Sequence, residues 1–96
     1  MTTVAQKVFY EGRVQGVGFR FSVKEIAAGF DVCGYVKNIP DGRVELFIQG
    51  EDKEVNGMLK TIDESHLGSF IKEKMNFDQN ENPKLKGFEI SKWKQM

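Results

Sequence analysis

Lys7-Val8-Phe9-Tyr10-Glu11-Gly12-Arg13-Val14-Gln15-Gly16-Val17-Gly18-Phe19-Arg20 is the stretch from which the fold can be read. Val8-Phe9-Tyr10 is β-branched and aromatic, and the run stops at Gly12, which predicts a short strand over 7–11. Beyond the glycines, Phe19, Val23, Ile26, Ala27 and Phe30 recur at offsets of 4, 7, 8 and 11. That spacing is one face of a helix, with Gly29 as its terminator. A strand, a glycine-bearing turn and an amphipathic helix therefore follow one another directly.

The same reading extends outward. Val32-Cys33-Gly34-Tyr35-Val36-Lys37-Asn38 predicts a second strand, and Pro40-Asp41-Gly42 supplies turn chemistry. Arg43-Val44-Glu45-Leu46-Phe47-Ile48-Gln49 alternates as its hairpin partner and ends at Gly50. Glu51 and Asp52 put negative charge at the start of a second helix, whose stripe is Val55, Met58, Leu59 and Ile62. Residues 70–75 predict a fourth strand with a polar middle, suited to an edge, and 78–83 an exposed loop. Residues 88–93 alternate as a closing strand. The order is β-α-β-β-α-β plus a terminal strand. Two one-faced helices must then cover one side of a mostly antiparallel sheet. The expected fold is an α/β (α+β) two-layer sandwich of the ferredoxin-like plan with an extra C-terminal strand.

A length of 96 residues predicts one domain over 1–96 with its core at about 7–93. Lys+Arg and Asp+Glu both number 14, so formal net charge is zero and a nucleic-acid coat is disfavoured. The zero is a sum of unlike halves. Up to Arg43 there are 6 basic and 4 acidic residues, and afterwards 8 basic and 10 acidic. No run of roughly 18 apolar residues occurs, so no membrane span is expected. Met1-Thr2-Thr3-Val4 lacks a charged segment leading into an apolar one, and a cytoplasmic chain is expected. One cysteine, Cys33, and one histidine, His66, cannot build a disulfide or a zinc site between them.

Gly16-Val17-Gly18-Phe19-Arg20 carries the chemistry. Glycines between a strand and a helix let consecutive N–H groups gather into a concavity at the helix N-terminus, an anion site. Arg20, in the first helical turn, has a fork that closes over a phosphate with two parallel hydrogen bonds. The plain alternative is a glycine-rich turn with a surface arginine. Phe21 stands where a dinucleotide fingerprint needs its third glycine, and no Gly-Lys-Ser/Thr of a Walker loop follows.

Residues 12–20 resemble the signature of the acylphosphatase family. Gly34-Tyr35-Val36-Lys37-Asn38 with Asp41-Gly42-Arg43-Val44-Glu45 resembles its second signature. The resemblance runs from about Lys7 to Ile90 and implies a ferredoxin-like fold. It also implies metal-independent, cofactor-free hydrolysis of the carboxyl–phosphate bond of acyl phosphates. It puts the catalytic arginine at Arg20 and the catalytic asparagine at Asn38, which holds the attacking water. The phosphate cradle falls on backbone amides of Gln15, Gly16, Val17, Gly18 and Phe19. Inorganic phosphate is then product and competitive inhibitor, and nothing demands more than a monomer. Three departures stand out: Gly18 where many members are bulky, Ser65-His66-Leu67-Gly68-Ser69 after the second helix, and no arginine after Phe88-Glu89-Ile90.

The alternative is a non-catalytic anion- or phosphate-binding module on the same fold. RNA binding through sheet aromatics is a third class, but the basic-aromatic strand pattern it needs is missing. Lys37 and Arg43, on a hairpin, are expected to face solvent, His66 to be a helix-end residue, and Cys33 a small half-buried one. Phe19 and Phe21 flank Arg20, so one of them is placed to wall a pocket.

Overall fold

The computed structural model describes residues 2–91. Its elements are β1 (Thr3–Gly12), α1 (Phe19–Ala27), β2 (Val32–Asn38), β3 (Val44–Glu51), α2 (Asp52–Glu64), a 3₁₀ helix (His66–Phe70), β4 (Ile71–Gln79) and β5 (Phe88–Ile90). The five strands form one sheet in the order β4-β1-β3-β2-β5. β1 and β2 both pair antiparallel with β3, which lies between them, so α1 crosses over β3 to join two parallel strands. β4 pairs antiparallel with β1, and β5 alone is parallel, with Val36 opposite Ile90 on β2. This is a ferredoxin-like α+β sandwich.

Strand period explains the core. Val8 and Tyr10, Val36, and Val44, Leu46 and Ile48 share a face because side chains alternate sides every residue. Phe19, Val23 and Ala27 of α1 and Val55, Met58, Leu59 and Ile62 of α2 pack onto it, with Leu67 of the 3₁₀ helix. Burying each of the larger side chains contributes about 1.5–3 kcal/mol. Ser65 Oγ caps the 3₁₀ helix by accepting from Leu67 N at 3.1 Å.

The helix-free face is covered differently. Phe47 stacks on Tyr35 with centroids 5.7 Å apart and planes at 9°. Tyr35 donates to Glu45 at 2.6 Å; burial, then that bond and the carboxylate's charge, push the phenol's pKa up. β4 and β5 lie at opposite edges, so residues 80–87 must traverse the sheet. Gln49 holds that strap on both sides of one residue: Nε2 donates to Asn82 O at 2.9 Å, and Oε1 accepts from Asn82 N at 2.8 Å.

Several boundaries differ from the expectations. β1 starts at Thr3, four residues early, because Val4 and Ala5 pair with Gly50 and Gln49. α1 ends at Ala27; Gly29 donates to Ile26 O without a left-handed φ, and Phe30 turns back to pack on the core. β3 runs through Gly50 to Glu51, where a Cβ would stand 2.9 Å from Asp31 O, so this glycine marks a close approach and not a stop. β4 extends over Asp78 and Gln79, which pair with Gln6 and Ala5. β5 ends at Ile90, and the expected continuation to Lys92 and Trp93 lies outside the described residues. Among the described residues no helix is long and apolar enough to cross a membrane.

Candidate active site

The β1–α1 connection must leave the sheet and enter a helix within a few residues, and its glycines make that possible. Gly16 (φ +79°) and Gly18 (φ +78°) are both left-handed, with Val17 between them. A side chain at either position would strain the backbone. Gly18 is the N-cap of α1, and its carbonyl accepts the first intrahelical bond, from Ser22 N at 3.1 Å. The N–H groups of Phe19, Arg20 and Phe21 thus precede the first helical partner and remain available. Val14 is buried in the core and Val17 packs against it, so apolar residues pin the loop before and after Gln15 and Gly16.

Gln15 ties this loop to the next element. Its Nε2 donates to Ile39 O and to Arg43 O, both at 2.9 Å, bridging the two ends of the β2–β3 turn. The turn itself closes through Ile39 N to Arg43 O at 3.0 Å and Gly42 N to Ile39 O at 3.1 Å. Asp41 accepts from Arg43 N at 3.0 Å and from Arg43 Nε at 2.8 Å. Those bonds hold the Asp41 carboxyl below its usual pKa range. The clamp is therefore present at neutral pH, and its stabilisation is lost only as pH falls through the lowered value. Asn38 ends β2 immediately before this turn, so Gln15 fixes the distance between the glycine loop and Asn38. Gln15→Ala would remove two bonds to carbonyls that keep only their backbone donors, Gly42 N and Ile39 N. It should lower unfolding stability by about 1–3 kcal/mol, read as a lower denaturant midpoint at unchanged slope.

Between loop and strand end lies a cavity of about 220 Å³ lined by Val14, Gly16, Gly18, Phe19, Arg20, Phe21, Asn38 and Ile90. It brings Arg20, on α1, together with Asn38, on β2, and with Gly16, Gly18 and Phe19. Gln15 and Val17 are not among its lining residues: the Gln15 amide is committed to the hairpin and Val17 to the core. Arg20 takes part in none of the ion pairs of the described residues, and it carries the one charged side chain of the lining. Asn38 Oδ1 is buried without a hydrogen-bond partner. An acceptor left so by the fold costs about 1–3 kcal/mol, which a donor entering there recovers.

Tyr10 lies beneath the helix start, its ring 5.3 Å from Phe19. Its hydroxyl is buried and unpartnered, and burial, then the nearby Asp63 charge, push its pKa up. Lys37 is 3.9 Å from Glu45, and Arg43 pairs with Asp41 and lies 4.5 Å over the Phe9 ring, so neither lines the cavity. His66 opens the 3₁₀ helix with Ser22 Oγ 3.4 Å from its Nε2, and Cys33 is half-buried. Among the described residues no three His, Cys, Asp or Glu side chains gather as a metal-ligand group. The lining residues not singled out from sequence are Val14 and Ile90, and the Gln15 bridge was missed as well. Alternation marks Val14 and Ile90 only as apolar, and nothing in the spacing reveals carbonyl partners 24 and 28 residues away.

Residues 6–90 match the family model described as Acylphosphatase. The Acylphosphatase of Trichormus variabilis is 37% identical over 87 residues, covering 88% of this chain and 83% of that protein. The Acylphosphatase of Hahella chejuensis is 35% identical over 85 residues, covering 88% of this chain and 89% of that one. Among solved structures, the acylphosphatase from Bacillus subtilis superposes with a TM-score of 0.82 at 27% identity, over 92% of this chain and 98% of that one.

Proposed function

Since the chain belongs to the acylphosphatase family and hydrolyses the carboxyl–phosphate bond of acyl phosphates, we propose that Arg20 and Asn38 carry that reaction. Their convergence on one cavity from α1 and β2, beside two left-handed glycines, is the observation that supports it. The phosphoryl group seats on backbone N–H groups of the loop over Gln15, Gly16, Val17, Gly18 and Phe19, at the positive end of α1. The Arg20 guanidinium closes over it. Charge spreads over the equatorial oxygens in the transition state, and fixed donors stabilise that charge more than the ground state's.

Asn38 orients a water in line with the leaving group through its amide oxygen; a half-turn of the amide exchanges Oδ1 with Nδ2. The water oxygen bonds to phosphorus as the bond from phosphorus to the acyl oxygen breaks, and that electron pair leaves on the carboxylate. A carboxylate with an acid pKa near ~4–5 departs without a general acid. The water's proton passes to an oxygen of the phosphate, so the site needs no His, Cys or carboxylate nucleophile and no metal.

The same proposal takes the chain to act as a monomer in the cytoplasm on a small-molecule acyl phosphate. Inorganic phosphate, as product, occupies the same donors. With chelator present it should inhibit acyl phosphate hydrolysis competitively and raise the melting temperature of the wild type. Arg20→Ala should lose most of both effects. Undiminished phosphate binding by that variant would take Arg20 out of the phosphate site.

A further inference from the structure

The two halves of the site come from segments far apart in the chain, and one side chain ties them. We propose that Gln15 is a positioning residue for the reaction: its carboxamide sets Asn38 at its working distance from the phosphate cradle, and so acts on turnover through Asn38 and not through phosphate binding. This rests on the reading of Arg20 and Asn38 given above.

Asn38 Oδ1 is buried without a hydrogen-bond partner, so its place is inherited from the backbone at the end of β2. Within the sheet that backbone is held by the pairing of Asn38 with Val44 on β3. Toward the turn, the neighbours of this pair are Ile39 and Arg43. Gln15 Nε2 donates to the carbonyls of both, at 2.9 Å each. A primary amide has two N–H protons, so both are spent on the Asn38–Val44 end of the hairpin. The backbone of Gln15 meanwhile sits next to Gly16, in the loop that cradles the phosphate.

Each half keeps its own bonds without the bridge, which confines the bridge to their spacing. The turn retains Ile39 N to Arg43 O, Gly42 N to Ile39 O and the Asp41–Arg43 clamp. The loop retains Val14 in the core, Val17 against it and Gly18 at the start of α1. Among the described residues, the hydrogen bonds joining 13–18 to 39–43 are the two that Gln15 makes. Gln15 does not line the cavity, so it reaches the substrate only through what it holds. Arg20 and the loop amides lie on one side of the bridge and Asn38 on the other. Losing the bridge therefore spares the phosphoryl seat and displaces the residue that orients the water. A misplacement of about 1 Å at the reacting atoms costs on the order of 10²-fold in rate.

A double-mutant cycle read in kcat tests this. Gln15→Met keeps the length of the side chain and removes both donors. It should lower kcat on acetyl phosphate by about 10–10²-fold and leave the inhibition constant for inorganic phosphate within about twofold of wild type. Gln15→Ala should do the same, with melting curves showing that both variants are folded at the assay temperature. Added to Asn38→Ala, Gln15→Met should lower kcat by no more than about twofold further, because the residue it positions is gone. Turnover near wild type in Gln15→Met overturns the proposal, as does a full second loss in the double variant. A phosphate inhibition constant that rises in step with the fall in kcat overturns it too, by making Gln15 part of the seat. An unfolded Gln15→Met overturns it equally, since the bridge would then hold the fold and not the spacing. Wild-type turnover in Asn38→Ala overturns the reading of Asn38, and this one with it.

Discussion

Arg20→Ala should cut kcat/KM for acyl phosphates by about 10²–10³-fold, the usual cost of one preorganised donor to developing charge. The expectation follows from isolation as much as from proximity. No carboxylate among the described residues pairs with Arg20, so its charge is not spent on the fold. The cavity has no second charged side chain to take over. Arg20→Lys should recover only a small part, because an ammonium lacks the planar fork that meets two phosphoryl oxygens together. Steady-state kinetics on one acyl phosphate decides it, with melting curves as the folding control. Activity within a few-fold of wild type in Arg20→Ala would remove the residue from the mechanism.

Asn38→Ala should lower kcat by about 10²-fold while leaving the inhibition constant for inorganic phosphate close to the wild-type value. That split separates the two proposed roles, Arg20 holding the phosphoryl group in ground and transition states and Asn38 holding the water. Asn38→Asp provides a sharper readout. Its carboxylate would stand against bound phosphate, so activity should be low at neutral pH and rise as pH falls toward about 4. There the side chain becomes a neutral donor-acceptor again. Phosphate inhibition weakened as strongly in Asn38→Ala as in Arg20→Ala would assign Asn38 to phosphate binding instead of water positioning.

What could be read from sequence divides along physical lines. Elements with a buried face announced themselves, since Phe19-Val23-Ala27 and Val55-Met58-Leu59-Ile62 repeat at helical period. β4 did not announce its length. Every residue after Ile71 is exposed, so Asp78 and Gln79 look like loop until β1 pairs with them. Arg20 and Asn38 were legible because their signatures are local runs of sequence. Gln15 was read only as part of the loop's backbone, whereas its side chain reaches carbonyls of another hairpin. Tyr35, Phe47 and Glu45 likewise form a network only once the β2–β3 register sets Tyr35 opposite Phe47.

β5 has a consequence for how the site breathes. It spans only Phe88–Ile90, sits at a sheet edge, and hydrogen-bonds to β2 alone among the strands, with Phe88 and Ile90 packed on the core. Residues 15–20 and 38, by contrast, are anchored between a central strand and α1. Regions with few backbone bonds open at lower free energy than the whole molecule does. Opening of β5 would therefore move Ile90 first among the residues that line the cavity. The Ile90 wall of the cavity thus depends on a three-residue edge pairing, and changes along the 80–87 strap reach the cavity through it.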